Sequence, residues 1–122
     1  MDAGRIVTDF CAAWGRGDVE AIVGAFTDDA VYHNIPMAPC QGKAAIRAFV
    51  AGLFENTASA VRFDIRHQVV DGNLVLNERV DTLVMKSGDV VLPVCGVFEL
   101  TQDGKIAAWR DYFDMAQFAG QG

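Results

Sequence analysis

Leu74-Val75-Leu76-Asn77-Glu78-Arg79-Val80-Asp81-Thr82-Leu83-Val84-Met85-Lys86, flanked by Asp71-Gly72-Asn73 and Ser87-Gly88, decides the fold. Aliphatic and β-branched residues dominate this run, and the glycine-containing stretches at its ends suit tight hairpin turns. Similar runs lie on both sides: Val61 to Val70 before it, and Val90 to Leu100 and Lys105 to Phe113 after it, the last two divided by Asp103-Gly104. Four runs joined by three turn signals read as an antiparallel meander. Pro93, inside the third run, has no N–H to offer a ladder and marks a bulge or an unpaired edge.

Upstream of the meander the apolar period changes. Ile6, Phe10 and Trp14, with Val7 and Cys11 beside them, recur every three or four residues, so a first helix ends near Gly15 and Gly17. Asp18 suits the N-cap of a second helix with Ile22, Val23 and Phe26 facing inward, ended by Thr27-Asp28-Asp29 as a turn. Ala30 to Ile35 reads as a short strand, and Pro36, Pro39 and Gly42 mark a loop. Lys43 to Phe54 then carries Ile46, Phe49, Val50, Leu53 and Phe54 on a third helix. Helices followed by a meander imply helices packed on one face of a single sheet, an α+β domain covering residues 1–122.

Composition narrows the function classes. The formal charge is −6 and no Lys/Arg cluster offsets it, which argues against nucleic acid and anionic membrane surfaces as partners. Hydrophobic residues make up 52% of the chain, yet no apolar run reaches the length of a bilayer span. A neutral, mostly apolar small molecule is the partner that fits. Leu74, Leu76, Val80 and Val84 alternate with Val75, Leu83 and Met85, so both faces of this strand are apolar. One face can pack on the helices and the other on a second copy, which predicts a homodimer. Cys11, Cys40 and Cys95 are widely spaced and read as reduced packing residues. With no secretory pattern at the N-terminus, they predict a cytoplasmic protein. His33 and His67 have no ligand-spaced neighbours, and no metal is expected.

Polar residues interrupt the apolar faces at particular places. A period of two puts Asn77, Arg79, Asp81, Leu83 and Met85 on one face of their strand. Trp109, Asp111 and Phe113 share a face of the last strand, and Tyr32 and Asn34 share a face of the short one. Three elements can therefore direct polar groups into one apolar space, where burial would be costly unless they bond to one another. A structural ion pair of Arg79 with Asp81 or Asp111 and a catalytic cluster are both open on spacing alone.

Four strings carry a family resemblance: Val31-Tyr32-His33-Asn34-Ile35-Pro36, Ala51-Gly52-Leu53-Phe54, Glu78-Arg79-Val80-Asp81 and Trp109-Arg110-Asp111-Tyr112-Phe113-Asp114. In this order and at these separations, from about Ile6 to Phe118, the chain resembles the limonene-1,2-epoxide hydrolases. The resemblance implies a cone-shaped, nuclear-transport-factor-like (SnoaL-like) α+β fold with a curved antiparallel or mixed sheet, a dimer, and a deep pocket between sheet and helices. It also implies an epoxide substrate, a vicinal diol product and no cofactor. The family's catalytic Asp, Arg and Asp fall on Asp81, Arg79 and Asp111, and its water-holding Tyr and Asn fall on Tyr32 and Asn34. Family match and strand alternation together predict a lining of Trp14, Leu53, Leu83, Leu92, Val94 and Phe113. Other activities on the same fold, a polyketide cyclase, a ketosteroid isomerase-like enzyme or a non-catalytic binding module, are the alternatives.

The implied chemistry needs these residue types. Water is a weak nucleophile and an alkoxide a poor leaving group, so epoxide opening benefits from removing one proton while donating another. By the resemblance Asp111 is the base, Asp81 the acid and Arg79 their bridge. Arg79 favours ionised carboxylates, whereas apolar burial and like charge favour a retained proton, so the two aspartates are expected to share one.

Overall fold

A computed structural model describes residues 1–121. Helix α1 (Ala3–Gly15) begins where the Asp2 carboxylate accepts from Arg5 N–H, and α2 (Val19–Gly24) begins where Asp18 accepts from Ala21 N–H. Strand β1 (Phe26–Asn34), the short β2 (Cys40–Gln41) and α3 (Lys43–Gly52) follow. One π-helical turn (Leu53–Thr57) leads from α3 into β3 (Ala58–Asp71). Strands β4 (Leu74–Met85), β5 (Gly88–Leu100) and β6 (Ile106–Tyr112) complete the meander, and α4 (Met115–Ala119) closes the described chain.

The six strands form one sheet in the order β2-β1-β6-β5-β4-β3, parallel only between β1 and β6. Register shifts in β3 between Ala58 and Ala60 and between Ile65 and His67 mark bulges, which bend a sheet. The helices pack against one face, and the core there is built around Trp109, which is fully buried. Its indole stacks on Tyr32 with 4.1 Å between ring centroids and on Phe98 at 5.3 Å, while Phe10 of α1 meets it edge-on at 5.1 Å. Among the described residues, no helix is long and apolar enough to cross a membrane.

Several sequence expectations change. Thr27-Asp28-Asp29 is not a turn but part of β1. Phe26 pairs with Ile106 and Val31 with Ala108, so the residues between bulge out of the ladder and keep their polar side chains off the core. Phe26 is buried as expected, but at the start of a strand rather than on α2. The third helix stops being α-helical at Gly52, and the following π-helical turn carries Leu53 and Phe54. Cys40–Gln41, read as loop, pairs with β1, and α4, capped by Asp114, was not foreseen.

Pro93 resolves to the second of its two readings. The β4–β5 ladder runs through Val80↔Pro93 without a register shift, so no bulge is present there. Val91 N–H and C=O bond to the side chain of Gln121, and alternation turns Pro93 to that same side. Pairing with β6 begins only at Cys95↔Tyr112, so the missing N–H falls on an unpaired edge.

Candidate active site

Sheet register assembles the polar groups. Asn77 of β4, Gly96 of β5, Asp111 of β6 and Asn34 of β1 stand in line across four neighbouring strands. Two residues away on β1 and β6, Tyr32 stands beside Trp109. On β4, Arg79 and Asp81 follow Asn77 at alternate positions and therefore share its face. The parallel β1–β6 pairing, sealed by Ile35 N–H on the Asp111 carbonyl at 2.9 Å, brings Asn34 to Asp111.

Arg79 must cross β5 to reach Asp111, and Gly96 is what lies beneath it. A Cβ on Gly96 would come within 2.9 Å of Asp111 Oδ1 and 3.0 Å of Asn77 Oδ1, and closer still to Arg79 Nη1. The glycine is needed for this approach and not for its backbone, since its φ is not positive.

Every N–H of the guanidinium is used. Nε donates to Asp81 Oδ1 at 3.0 Å, and Nη2 to Asp81 Oδ2 and Asp111 Oδ2, both at 2.8 Å. Nη1 donates to Asn77 Oδ1 at 3.0 Å and to Asp111 Oδ1 at 3.2 Å. Five donors thus meet five acceptors, the full capacity of an arginine. The Phe63 ring lies 4.5 Å from the guanidinium carbon, adding a cation–π contact. Arg79, Asp81, Asp111 and Asn77 are all buried.

The two carboxylates differ in their donor sets. Among the described residues Asp81 accepts from Arg79 alone, whereas Asp111 also accepts from Trp109 Nε1 at 2.7 Å. Burial pushes the Asp81 carboxyl up to about 6, and the Asp111 charge adds to the rise while Arg79 opposes it. Burial also raises Asp111, against the Arg79 charge and the Arg79 and Trp109 hydrogen bonds. Desolvation therefore outweighs the arginine, and the extra indole N–H makes Asp111 the better-held anion. Both carboxyls are thus raised in the same direction, and the Trp109 N–H is the one donor that distinguishes them. The Tyr32 phenol is held protonated, chiefly by burial and by the neighbouring Asp111.

Asp81 and Asp111 open onto a cavity of about 310 Å³. Tyr32 and Asn34 face it beside Asp111, and the Tyr32 hydroxyl donates to Asn34 Oδ1 at 3.4 Å. Trp14, Leu53, Leu83, Leu92, Val94 and Phe113 all line the cavity. Arg79 does not reach it and stays behind the carboxylates. His33 and His67 lie outside: His33 bonds the Met37 carbonyl, and His67 is exposed near Glu78.

Sequence reasoning missed Gly96, the bond from Arg79 to Asn77, and the Met115 and Phe118 wall contributed by α4. An isolated glycine within an apolar strand was the available signal for Gly96. Nothing local marks Met115 and Phe118, whose helix is short and weakly patterned.

The sequence matches the SnoaL-like domain family over residues 7–109. It is 36% identical over 111 residues to the epoxide hydrolase EphG of Mycobacterium tuberculosis, spanning 89% of this chain and 71% of that protein. Its fold superposes on a solved M. tuberculosis LEH-like epoxide hydrolase with a TM-score of 0.86 and 32% identity, covering 98% of this chain and 87% of the other. An NTF2-like protein of Burkholderia pseudomallei, 16% identical, shares the fold with a TM-score of 0.87 over 99% of this chain and 97% of that one.

Proposed function

The chain belongs to the SnoaL-like domain family, within its limonene-1,2-epoxide hydrolase-like members, and from this premise we propose that it adds water to a small, mostly apolar epoxide. The observation that carries the reading is one buried arginine bridging two carboxylates with unequal donor sets at the wall of an apolar cavity. Asp111, the better-held anion, takes a proton from water, and Asp81 gives its proton to the opening epoxide oxygen. The water oxygen bonds to one epoxide carbon as the C–O bond breaks, giving a vicinal diol in one step.

Positioning follows from donor and acceptor counts. Because Tyr32 engages Asn34 through Oδ1, the Asn34 amide NH₂ is the end free to donate to water. One water hydrogen then goes to Asp111 and the other to the Tyr32 oxygen. The second lone pair is left to point at carbon, a near-attack arrangement.

The cavity, near the lower end of the roughly 300–1,000 Å³ range of small-molecule sites, suits a monocyclic epoxide of limonene-oxide size. Half-exposed Val91 and Tyr112, beside exposed Cys95, supply an outer sheet face on which two copies form a homodimer. Free Cys11, Cys40 and Cys95 suit the reducing cytoplasm. A carbon-acid isomerase or cyclase on this fold would need one carboxylate base and no bridging arginine. Purified protein incubated with limonene oxide and cyclohexene oxide tests the proposal: diol is expected, and its absence from both overturns it.

A further inference from the structure

Behind the site a line of side chains runs from Arg79 to the start of α1. Asn77 accepts from Arg79 Nη1 through Oδ1 and donates through Nδ2 to Gln68 Oε1 at 3.1 Å. Gln68 Nε2 in turn donates to the Gly4 carbonyl at 3.1 Å and to Thr8 Oγ1 at 3.2 Å. Both ends of this line are one-way. A backbone carbonyl can only accept and a guanidinium can only donate. The Gly4 carbonyl therefore fixes the Gln68 amide, Gln68 fixes the Asn77 amide, and Asn77 can present nothing but its oxygen to Arg79. Rotating either amide by half a turn would set two donors or two acceptors against each other.

Resting on the hydrolase reading, we propose that Asn77, held by Gln68, is a positioning residue that fixes the Arg79 guanidinium in the plane from which it bridges Asp81 and Asp111. Nη1 is where this matters most. It is shared between Asn77 and Asp111, and its bond to Asp111 is the longest of the five at 3.2 Å. The Asn77 oxygen holds one Nη1 hydrogen, which aims the other at Asp111 Oδ1. Without that oxygen the guanidinium can rotate about Nε toward Asp81, and Asp111 loses one of its three donors. Asn77 does not line the cavity, so substrate binding should not depend on it.

The test compares Asn77→Leu, Asn77→Asp and Gln68→Leu with the wild type. Asn77→Leu should lower kcat about 10- to 100-fold with KM within about two-fold, the size expected when a supporting group is lost. Asn77→Asp restores the acceptor towards Arg79 but sets a carboxylate oxygen against Gln68 Oε1, so it should recover only part of the kcat lost in Asn77→Leu. Its added charge raises both neighbouring carboxyl pKa values, so the pH profile of kcat moves upward. Gln68 is only half-buried, so Gln68→Leu keeps the proposal testable if Asn77→Leu fails to fold. It should show a smaller loss in kcat at unchanged KM.

NMR of Arg79 gives a readout independent of turnover. A locked guanidinium shows separate, slowly exchanging Nη–H signals in the wild type, and these should merge in Asn77→Leu or Gln68→Leu. Wild-type protein that makes no diol removes the hydrolase reading, while the NMR comparison still decides the positioning. Wild-type Nη–H signals already averaged, or folded Leu variants with wild-type kcat and pH profile, overturn the inference.

Discussion

Replacing Gly96 by alanine tests whether the arginine bridge is as tightly constrained as its geometry indicates. The added carbon would stand 2.9 Å from Asp111 Oδ1 and 3.0 Å from Asn77 Oδ1, and overlap Arg79 Nη1 more severely. Reaching ordinary contacts of about 3.5 Å requires the oxygens to retreat by roughly half an ångström and Nη1 by roughly 1 Å. β5 is held by β4 and β6 at this point, so the strand cannot supply that movement. Nη1 then loses one or both of its bonds, each of the charge-assisted kind worth about 1.5–3 kcal/mol. With overpacking added, the expected loss is about 3–5 kcal/mol of stability. The bridge moves off Asp111, and a displacement of that size costs about 100-fold in kcat/KM. Urea unfolding and diol release measure the two effects. Gly15→Ala is the control, since nothing lies within 4 Å of its added carbon and a gain of up to about 1 kcal/mol is expected. Gly96→Ala with wild-type stability and turnover would refute the reasoning.

Asp81→Asn and Asp111→Asn should each leave a folded protein with turnover reduced at least about 100-fold, because each deletes one proton transfer and keeps its shape. Tyr32→Phe should lose only about 10-fold, since Asp111 and Asn34 still hold water and the ring keeps its stack on Trp109, checked by steady-state rates. A carboxyl raised from 3.8 to about 6 binds its proton more tightly in the native than in the unfolded state. Stability should therefore fall as pH rises through this window, by about 3 kcal/mol from this group. Urea melts at pH 4 and pH 7 should show that fall in the wild type and a smaller one in Asp81→Asn, where only the raised Asp111 carboxyl still contributes. Turnover should decline above about pH 6 as Asp81 loses its proton, which a pH–rate profile of the wild type will show.

The parts of the site written in local period were legible from sequence. Alternation along β4 put Arg79 and Asp81 on one face, and alternation along β6, continued one residue past its end, set Asp111 between Trp109 and Phe113. Turn glycines delimited the meander, and Asp18 marked the start of α2. What depended on distant pairing was not legible. The parallel register of β1 on β6 puts Asn34 beside Asp111, yet no local signal connects two strands at opposite ends of the chain. Thr27-Asp28-Asp29 shows the same limit: its composition is that of a turn, and only the presence of β6 draws it into a bulged strand. The rise of both carboxyls turns on burial, and their difference in donors on the Trp109 N–H, neither of which a sequence displays.

Direct attack by water on the epoxide is the central claim, and one turnover in heavy-oxygen water tests it. Enzyme in excess over an epoxide such as limonene oxide, in H₂¹⁸O, should release a first-turnover diol already carrying one ¹⁸O, with no label in Asp81 or Asp111. An unlabelled first-turnover diol, with ¹⁸O recovered in either carboxylate, would contradict the account by requiring an ester between enzyme and substrate.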